Sequence, residues 1–263
     1  MSDTDTLEHR ALLIARLEAR NRRLQAAVRA ANQEIDALTG SIAHDLRTPL
    51  LHIDGFAQLL QTSTGAVLDR ESRDHLDRII GAARTMGDLI GALVDYSRVN
   101  SVELAMGEVD LEDLLNEALE LVRPWGNGRS IQWHRTRLPA VHGDENLLRQ
   151  VFVNLVSNAV KYTRPRNPAV IEIGTRAQEA REVTVFVRDN GVGFDPKYSS
   201  RLFSPFQRLH ADDAFRGLGM GLAKVRRIVA RHGGRVWTQA QVGEGATFFF
   251  SLPDRCLPEN GDE

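Results

Sequence analysis

His44 and Asp45 stand side by side in the segment Ser41-Ile-Ala-His44-Asp45-Leu-Arg-Thr48-Pro49-Leu50. Side chains advance about 100° per residue round a helix, so His44 lies roughly 200° from Ile42 and points away from the apolar seam that Ile42 continues. An outward imidazole beside a carboxylate suits nucleophilic attack or proton transfer. Pro49 cannot donate to the Asp45 carbonyl, and its ring pushes that turn open. The sequence thus places an outward histidine, an adjacent acid and a bent helix within one turn.

A second group lies further along. Asn154, Asn158 and Lys161, with Tyr162 next, fall at i, i+4 and i+7, on one helical face. Asparagine is a poor helix former, so two at this spacing with a lysine suggest a polar cleft. An amide oxygen can ligate Mg²⁺, and a lysine supplies charge to a phosphate. A solvated helix face fits these residues equally well on their own. Asp189-Asn-Gly191-Val-Gly193 ends a strand in a glycine turn. There Asp189 can accept a hydrogen bond from the exocyclic amine of adenine, although a plain turn is the better reading of the segment alone. Gly217-Leu-Gly219-Met-Gly221 leads directly into a helix, where closely spaced glycines let backbone N–H groups approach phosphates. The spacing is not the dinucleotide fingerprint. Gly243-Glu-Gly245-Ala-Thr247 reads alone as a hairpin turn.

The elements that must hold these residues fall into two textures. Leu7, Ile14, Asn21, Val28, Ile35 and Ile42 are seven apart, and Leu17, Leu24, Ala31 and Leu38 follow members of that set by three. This a/d seam predicts a parallel two-stranded coiled coil, with Asn21 setting register. A long amphipathic helix packed within one chain is the alternative. The step from Leu38 to Ile42 to Leu46 is a stutter that unwinds the supercoil around His44. Thr62–Ala66 breaks the helix, and a stripe from Leu76 to Tyr96 predicts a returning one. Two such hairpins in a homodimer make a four-helix bundle. From residue 108, helices capped by Asp110 and opened by Gly143-Asp144 interleave with mostly antiparallel strands, which predicts a two-layer α/β sandwich. The expected parts are a coiled coil (1–40), a helical hairpin (41–98), a hinge (99–107), an α/β domain (108–253) and a flexible tail (254–263).

Composition narrows the function. The 263 residues carry 33 basic and 35 acidic side chains, a net charge of −2. That argues against a general nucleic-acid binder, whose affinity rests on neutralising phosphates. One cysteine, Cys256, cannot build a disulfide framework. No apolar run approaches a membrane span and the start has no signal-peptide core, so a soluble cytoplasmic chain is expected.

Taken in order, the His44 segment, the asparagine helix, Asp-x-Gly-x-Gly, the G-x-G-x-G turn and Gly-x-Gly-x-Thr-Phe resemble the transmitter region of two-component sensor histidine kinases. The resemblance covers roughly residues 35–252. Phe203-Ser-Pro-Phe206-Gln-Arg208-Leu-His210 resembles the family's ATP lid in a form similar to that of phytochrome-linked kinases. Leu218 and Met220 depart from the commoner Thr and Ile, but both remain apolar spacers.

The resemblance implies a multidomain fold: a helical dimerisation domain followed by a gyrase/chaperone/kinase/mismatch-repair (GHKL, or Bergerat) ATP-binding sandwich. It implies that His44 is the phosphoacceptor and that Asp45 orients its ring and takes its proton. Asn158 is then the Mg²⁺ ligand, Asn154 and Lys161 line the phosphates, and Tyr162 lies near the nucleotide. Asp189 reads adenine beside Gly191 and Gly193. Gly217, Gly219 and Gly221 bound the lid and phosphates, Thr247 supports the adenine end, and Arg208 is a candidate cation for the γ-phosphate. Thr48, one turn past His44, either places a water for regulator dephosphorylation or caps the turn before Pro49. The implied partners are a second copy, a response regulator receiver domain, and an upstream sensor domain or separate sensory protein. The rival readings are a degenerate transmitter acting as a dimeric phosphotransfer scaffold, and an ATP-driven clamp of the same sandwich type.

Overall fold

The structure, a computed structural model, describes residues 3–64, 67–126, 128–176, 182–207, 209 and 217–253. Arg208, the loop around Gly65 and the tail from 254 lie outside the described residues. The chain forms two compact units, 1–101 and 102–263.

The first unit is a hairpin of α1 (Asp3–Thr64) and α2 (Arg70–Ser101). Ala43 and Leu50 of α1 pack with Ala83, Ile90 and Val94 of α2. Polar pairs tie the helices at both ends. The Gln61 amide donates to Asp77 at 2.7 Å, Arg84 lies 3.4 Å from Asp54, and the Ser97 hydroxyl donates to Asp36. Asp69 starts α2 by accepting the Ser72 N–H at 2.7 Å. The 32 residues of α2 cannot cover the 62 of α1. Ile14, Leu17, Leu24 and Val28 lie beyond α2, and Ile35, Leu38 and Ile42 lie off the face that packs on it; all seven stay 56–59% exposed, so no described residue covers them. The alternative of a long helix packed within its own chain does not hold for this stretch. The helix also continues through Pro49 without a break. A proline removes one hydrogen bond, and the turns on either side remain intact.

The second unit has a five-stranded sheet in the order β2 (Ile131–Arg135), β4 (Ala169–Arg176), β5 (Glu182–Asp189), β7 (Gly245–Pro253), β6 (Val236–Gln241). A separate pair joins β1 (Met106–Asp110) to β3 (Ala140–Asp144). Most pairings are antiparallel, but β2 runs parallel to β4. The stretch expected to be a hinge, 99–107, is helix as far as Ser101 and strand from Met106. Ser97 and Val99 are buried, which extends α2 past the last residue of its apolar stripe.

Three helices, α3 (Leu111–Val122), α4 (Glu145–Tyr162) and α5 (Gly221–Arg231), complete this unit. Alternate residues of β4 and β5, such as Ile171, Ile173, Val185 and Val187, are buried, as expected of strands with one covered face, whereas β7 is buried on both faces from Phe248 to Leu252. Phe152 of α4 meets Phe250 of β7 edge-to-face at 5.7 Å. Asp144 caps α4 by accepting the Leu147 N–H at 3.0 Å. At the other end Arg129 donates to the carbonyls of Val160 and Thr163 at 2.8 and 3.0 Å. With both ends fixed and one face buried, α4 can hold polar side chains on its other face.

Phe152→Ala is expected to cost about 3–5 kcal/mol, from lost transfer energy and the cavity left against Phe250. Denaturant unfolding of the chain measures this, and a cost below about 1 kcal/mol contradicts the packing described.

Candidate functional site

On α4, Leu155, Val156, Ala159 and Val160 are buried, while Asn154, Asn158, Lys161 and Tyr162 are half-buried. Asn154 donates to the Gln150 carbonyl at 2.7 Å. Its amide oxygen lies beside Gly221, where a Cβ would come within 2.7 Å. The Lys161 ammonium would meet a Cβ on Gly217 at 2.8 Å, and it sits 4.8 Å from the Tyr162 ring centroid. The glycine segment 217–221 therefore runs alongside the polar face of α4. Asn158, between these two contacts, makes no side-chain hydrogen bond to any described residue. Met220 caps α5 without a side-chain bond, which leaves the first N–H groups of that helix uncapped by a side chain.

The Asp189 turn closes the far end of this face. Val192 donates to the Tyr162 carbonyl at 3.2 Å, so the turn is fastened to the C-terminus of α4. Gly191 has no room for a side chain, since a Cβ would come within 2.6 Å of both Asp189 Oδ1 and the Tyr162 oxygen. Gly193 has φ +60° and lies against the Gln241 and Gly245 carbonyls. Asp189 is 4% exposed. Burial pushes its carboxyl up from 3.8 to about 6, while the backbone N–H groups of Gly191 and Ala246 pull the other way.

The structure brings Asn154, Asn158, Lys161, Tyr162, Asp189, Gly191, Gly193, Gly217, Gly219 and Gly221 to one side of the α/β unit. Thr247 is not among them. It pairs across the sheet with Arg188, whose side chain is 66% exposed, whereas Asp189 pairs with Ala246. Successive residues of a strand point to opposite faces, so Thr247 faces away from Asp189. Thr247, expected to support an adenine end, therefore lies on the opposite sheet face from Asp189, while the Ala246 N–H faces the Asp189 carboxyl. Two residues were missed. Asn190 bridges to β4 by accepting the Val170 N–H at 2.9 Å. Arg166 holds the turn by its carbonyls, as described below. Asn-Gly after a strand carried the first signal, but nothing in the spacing marked Arg166.

In the helical unit the His44 and Asp45 side chains are 80% and 75% exposed, with Nδ1 3.2 Å from Oδ1. The carboxylate can therefore hold one ring nitrogen while Nε2 faces outward. Thr48 is exposed and its hydroxyl has no hydrogen-bond partner among the described residues. Thr39, Thr62, Thr64 and Thr85, by contrast, each bond the carbonyl four residues back. Because α1 is unbroken at Pro49, Thr48 has no turn end to cap.

Residues 34–102 match the family described as "His Kinase A (phospho-acceptor) domain". Residues 143–255 match "Histidine kinase-, DNA gyrase B-, and HSP90-like ATPase". The chain belongs to the sensor histidine kinases, as a transmitter region. It is 32% identical to the phytochrome-like protein Cph1 of Synechocystis sp. over 223 residues, which is 84% of this chain and 29% of that protein. It is 34% identical to cyanobacterial phytochrome B of Nostoc sp. over 225 residues, 85% of this chain and 30% of the relative. The chain thus spans less than a third of the length of these curated relatives. A crystal structure of full-length ShkA in complex with AMPPNP matches with a TM-score of 0.60 at 31% identity, covering 82% of this chain and 45% of that one. In this chain His44 falls within the phospho-acceptor segment, and every site residue from Asn154 to Thr247 falls within the ATPase segment. No described helix is long and apolar enough to cross a membrane.

The raised Asp189 carboxyl has a consequence for stability. The folded state holds this proton more tightly than the unfolded chain does. Its contribution is fully present below about pH 4 and is lost as pH rises through about 6, a change of roughly 3 kcal/mol at most. Unfolding free energies of the wild type and Asp189→Asn, compared between pH 4 and 7, should differ by this falling step. Parallel profiles would show that the carboxylate is not desolvated.

Proposed function

We propose that this kinase binds ATP·Mg²⁺ in the α/β unit and transfers the γ-phosphoryl group to His44. Nε2 attacks the γ-phosphorus in line, the N–P bond forms, and the bond to the bridging oxygen of ADP breaks. Phosphoryl transfer has a loose transition state, so the protein contributes mainly position and charge. Asp45 holds the proton on Nδ1, which leaves the Nε2 lone pair outward, and then takes that proton from the imidazolium. Asp189 accepts the adenine amine, while Lys161 and the uncapped start of α5 face the phosphates. The half-buried Asn158 amide, without a side-chain partner among the described residues, fits a Mg²⁺ ligand, and the ion would neutralise charge on the phosphate oxygens. The phosphoryl group then passes to an aspartate of a response regulator, and Thr48 places the water when the regulator is dephosphorylated. In this reading residues 1–40 carry the signal, 41–98 dimerise and transfer the phosphoryl group, and 108–253 bind ATP.

The outward imidazole beside Asp45 carries the proposal. A clamp-type ATPase has no use for such a residue on a separate helical hairpin. With γ-labelled ATP the chain should acquire acid-labile phosphate that is absent in His44→Gln, and Asn158→Ala should weaken ATP binding at least about ten-fold, as expected when a metal and phosphate ligand is lost. Acid-stable label contradicts histidine phosphorylation, and ATP binding without any label favours the scaffold reading.

The uncovered heptad seam supports a homodimer. Isolated helices rarely leave such a stripe in water, and branched residues at a with Leu at d favour two parallel strands. Sedimentation should give a dimer, and Ile35→Glu with Leu38→Glu should shift it toward monomer. A wild-type monomer at micromolar concentration would overturn the assignment.

A further inference from the structure

Arg166 lies just past α4, in the segment that leads into β4, and carries no role in the reaction described above. Its Nε donates to the Asn190 carbonyl at 2.8 Å and its Nη2 to the Gly191 carbonyl at 3.0 Å. Nη2 also donates to the carbonyl of Gly243, in the turn between β6 and β7. One half-buried guanidinium thus joins two loops that are 52 residues apart (243 − 191 = 52). Both loops bear on Asp189. Gly191 donates to its carboxylate at 2.8 Å, and the β6–β7 hairpin supplies the Ala246 N–H.

Apart from Arg166, these loops are held mainly by backbone contacts. Gly191 and Gly193 have no side chains, and their backbones pack directly against the Tyr162, Gln241 and Gly245 carbonyls. Carbonyl dipoles of several segments therefore converge beside a buried carboxyl. A planar cation with a fixed fork of donors satisfies such a cluster, whereas a neutral side chain leaves the oxygens facing one another. Asn190 fixes the turn to β4 through Val170, and Val192 fixes it to α4 through Tyr162. The hairpin meets the turn through the Gly243 N–H, which donates to the Val192 carbonyl at 2.8 Å, and Arg166 adds a side-chain tie that spans both loops.

We propose that Arg166 is a positioning residue for the nucleobase. It holds the Asp189 turn and the Gly243 hairpin in the register at which the Asp189 carboxylate meets the amine of adenine. This rests on the ATP-binding reading given above. The amine distinguishes adenine from guanine, which presents a carbonyl at that position. Loosening the register should therefore reduce affinity for ATP more than for GTP.

The test uses the full chain and compares ATP and GTP in binding and in His44 phosphorylation. In Arg166→Ala the KM for ATP should rise about ten-fold, as for the loss of a charge-assisted contact. GTP affinity should change little, and kcat at saturating ATP should stay within about two-fold, because the phosphate end is untouched. Arg166→Lys keeps the charge without the fork and should restore part of the discrimination. A folded Arg166→Ala with wild-type KM and ATP/GTP ratio overturns the proposal. If Arg166→Ala does not fold, Arg166→Lys decides, and wild-type discrimination in that variant overturns it equally. Failure of the wild type to bind ATP would instead remove the underlying reading.

Discussion

The α/β unit depends on α4 keeping one face buried and the opposite face polar. Burial of Leu155, Val156 and Phe152 against the sheet fixes the helix in rotation. That rotation alone brings Asn154, Asn158 and Lys161 to the glycine segment. Caps from Asp144 and Arg129 fix it along its axis. An amide such as that of Asn158, without a hydrogen-bond partner among the described residues, is tolerable because it is only half-buried, and packing elsewhere on α4 offsets its cost. The glycines follow from the same constraint. Gly217, Gly221 and Gly191 each lie where a Cβ would strike a residue of α4 or the Asp189 turn. They mark close approach, and at these three positions no left-handed backbone is involved.

The helical unit solves the opposite problem, since its reactive group has to be displayed. Ala43 is buried one position before His44, and the cluster with Leu50, Ala83 and Ile90 holds α1 in rotation. His44 then faces outward as a consequence of helical geometry, and Asp45 restrains its ring from the next position. The stutter between Leu38 and Leu46 takes the helix off its coiled-coil seam just where the ring must be free. Pro49 removes one backbone bond in the same turn without interrupting the helix.

Much of this was legible in the sequence because it is periodic or local. The heptad, the returning helix, the faces of α4 and the turn at Asp189 each follow from spacing within a few residues. The missed features depend on partners distant in sequence. The strand β1 reads as linker because its partner β3 is 34 positions away by first residue (140 − 106 = 34). The family resemblance points to Thr247 at the adenine end, and spacing alone does not say which face of the strand it takes. Register across β5 shows that the preceding alanine faces Asp189. Strand alternation makes a difference of one residue a change of face. Arg166 carried no signal at all, since an arginine after a helix is ordinarily a solvated end.

Asp189 shows how the site and the fold pull against each other. In the proposed reading Asp189 meets the amine as a carboxylate, yet burial raises its carboxyl from 3.8 to about 6 and so shifts its ionisation toward neutral pH. The N–H groups of Gly191 and Ala246 recover part of that penalty, and a bound amine would recover more by donating to the ionised oxygen. Ligand binding and ionisation are linked, so affinity for an amine-bearing base should weaken as pH falls below about 6, because the carboxylate must first lose its proton. A ring with a carbonyl at the same position faces the reverse linkage, since it can accept only from the protonated acid. Discrimination between the two rings is thus strongest where Asp189 is ionised, above its raised titration range. The same burial that costs stability sharpens recognition, because water cannot stand in for the missing amine.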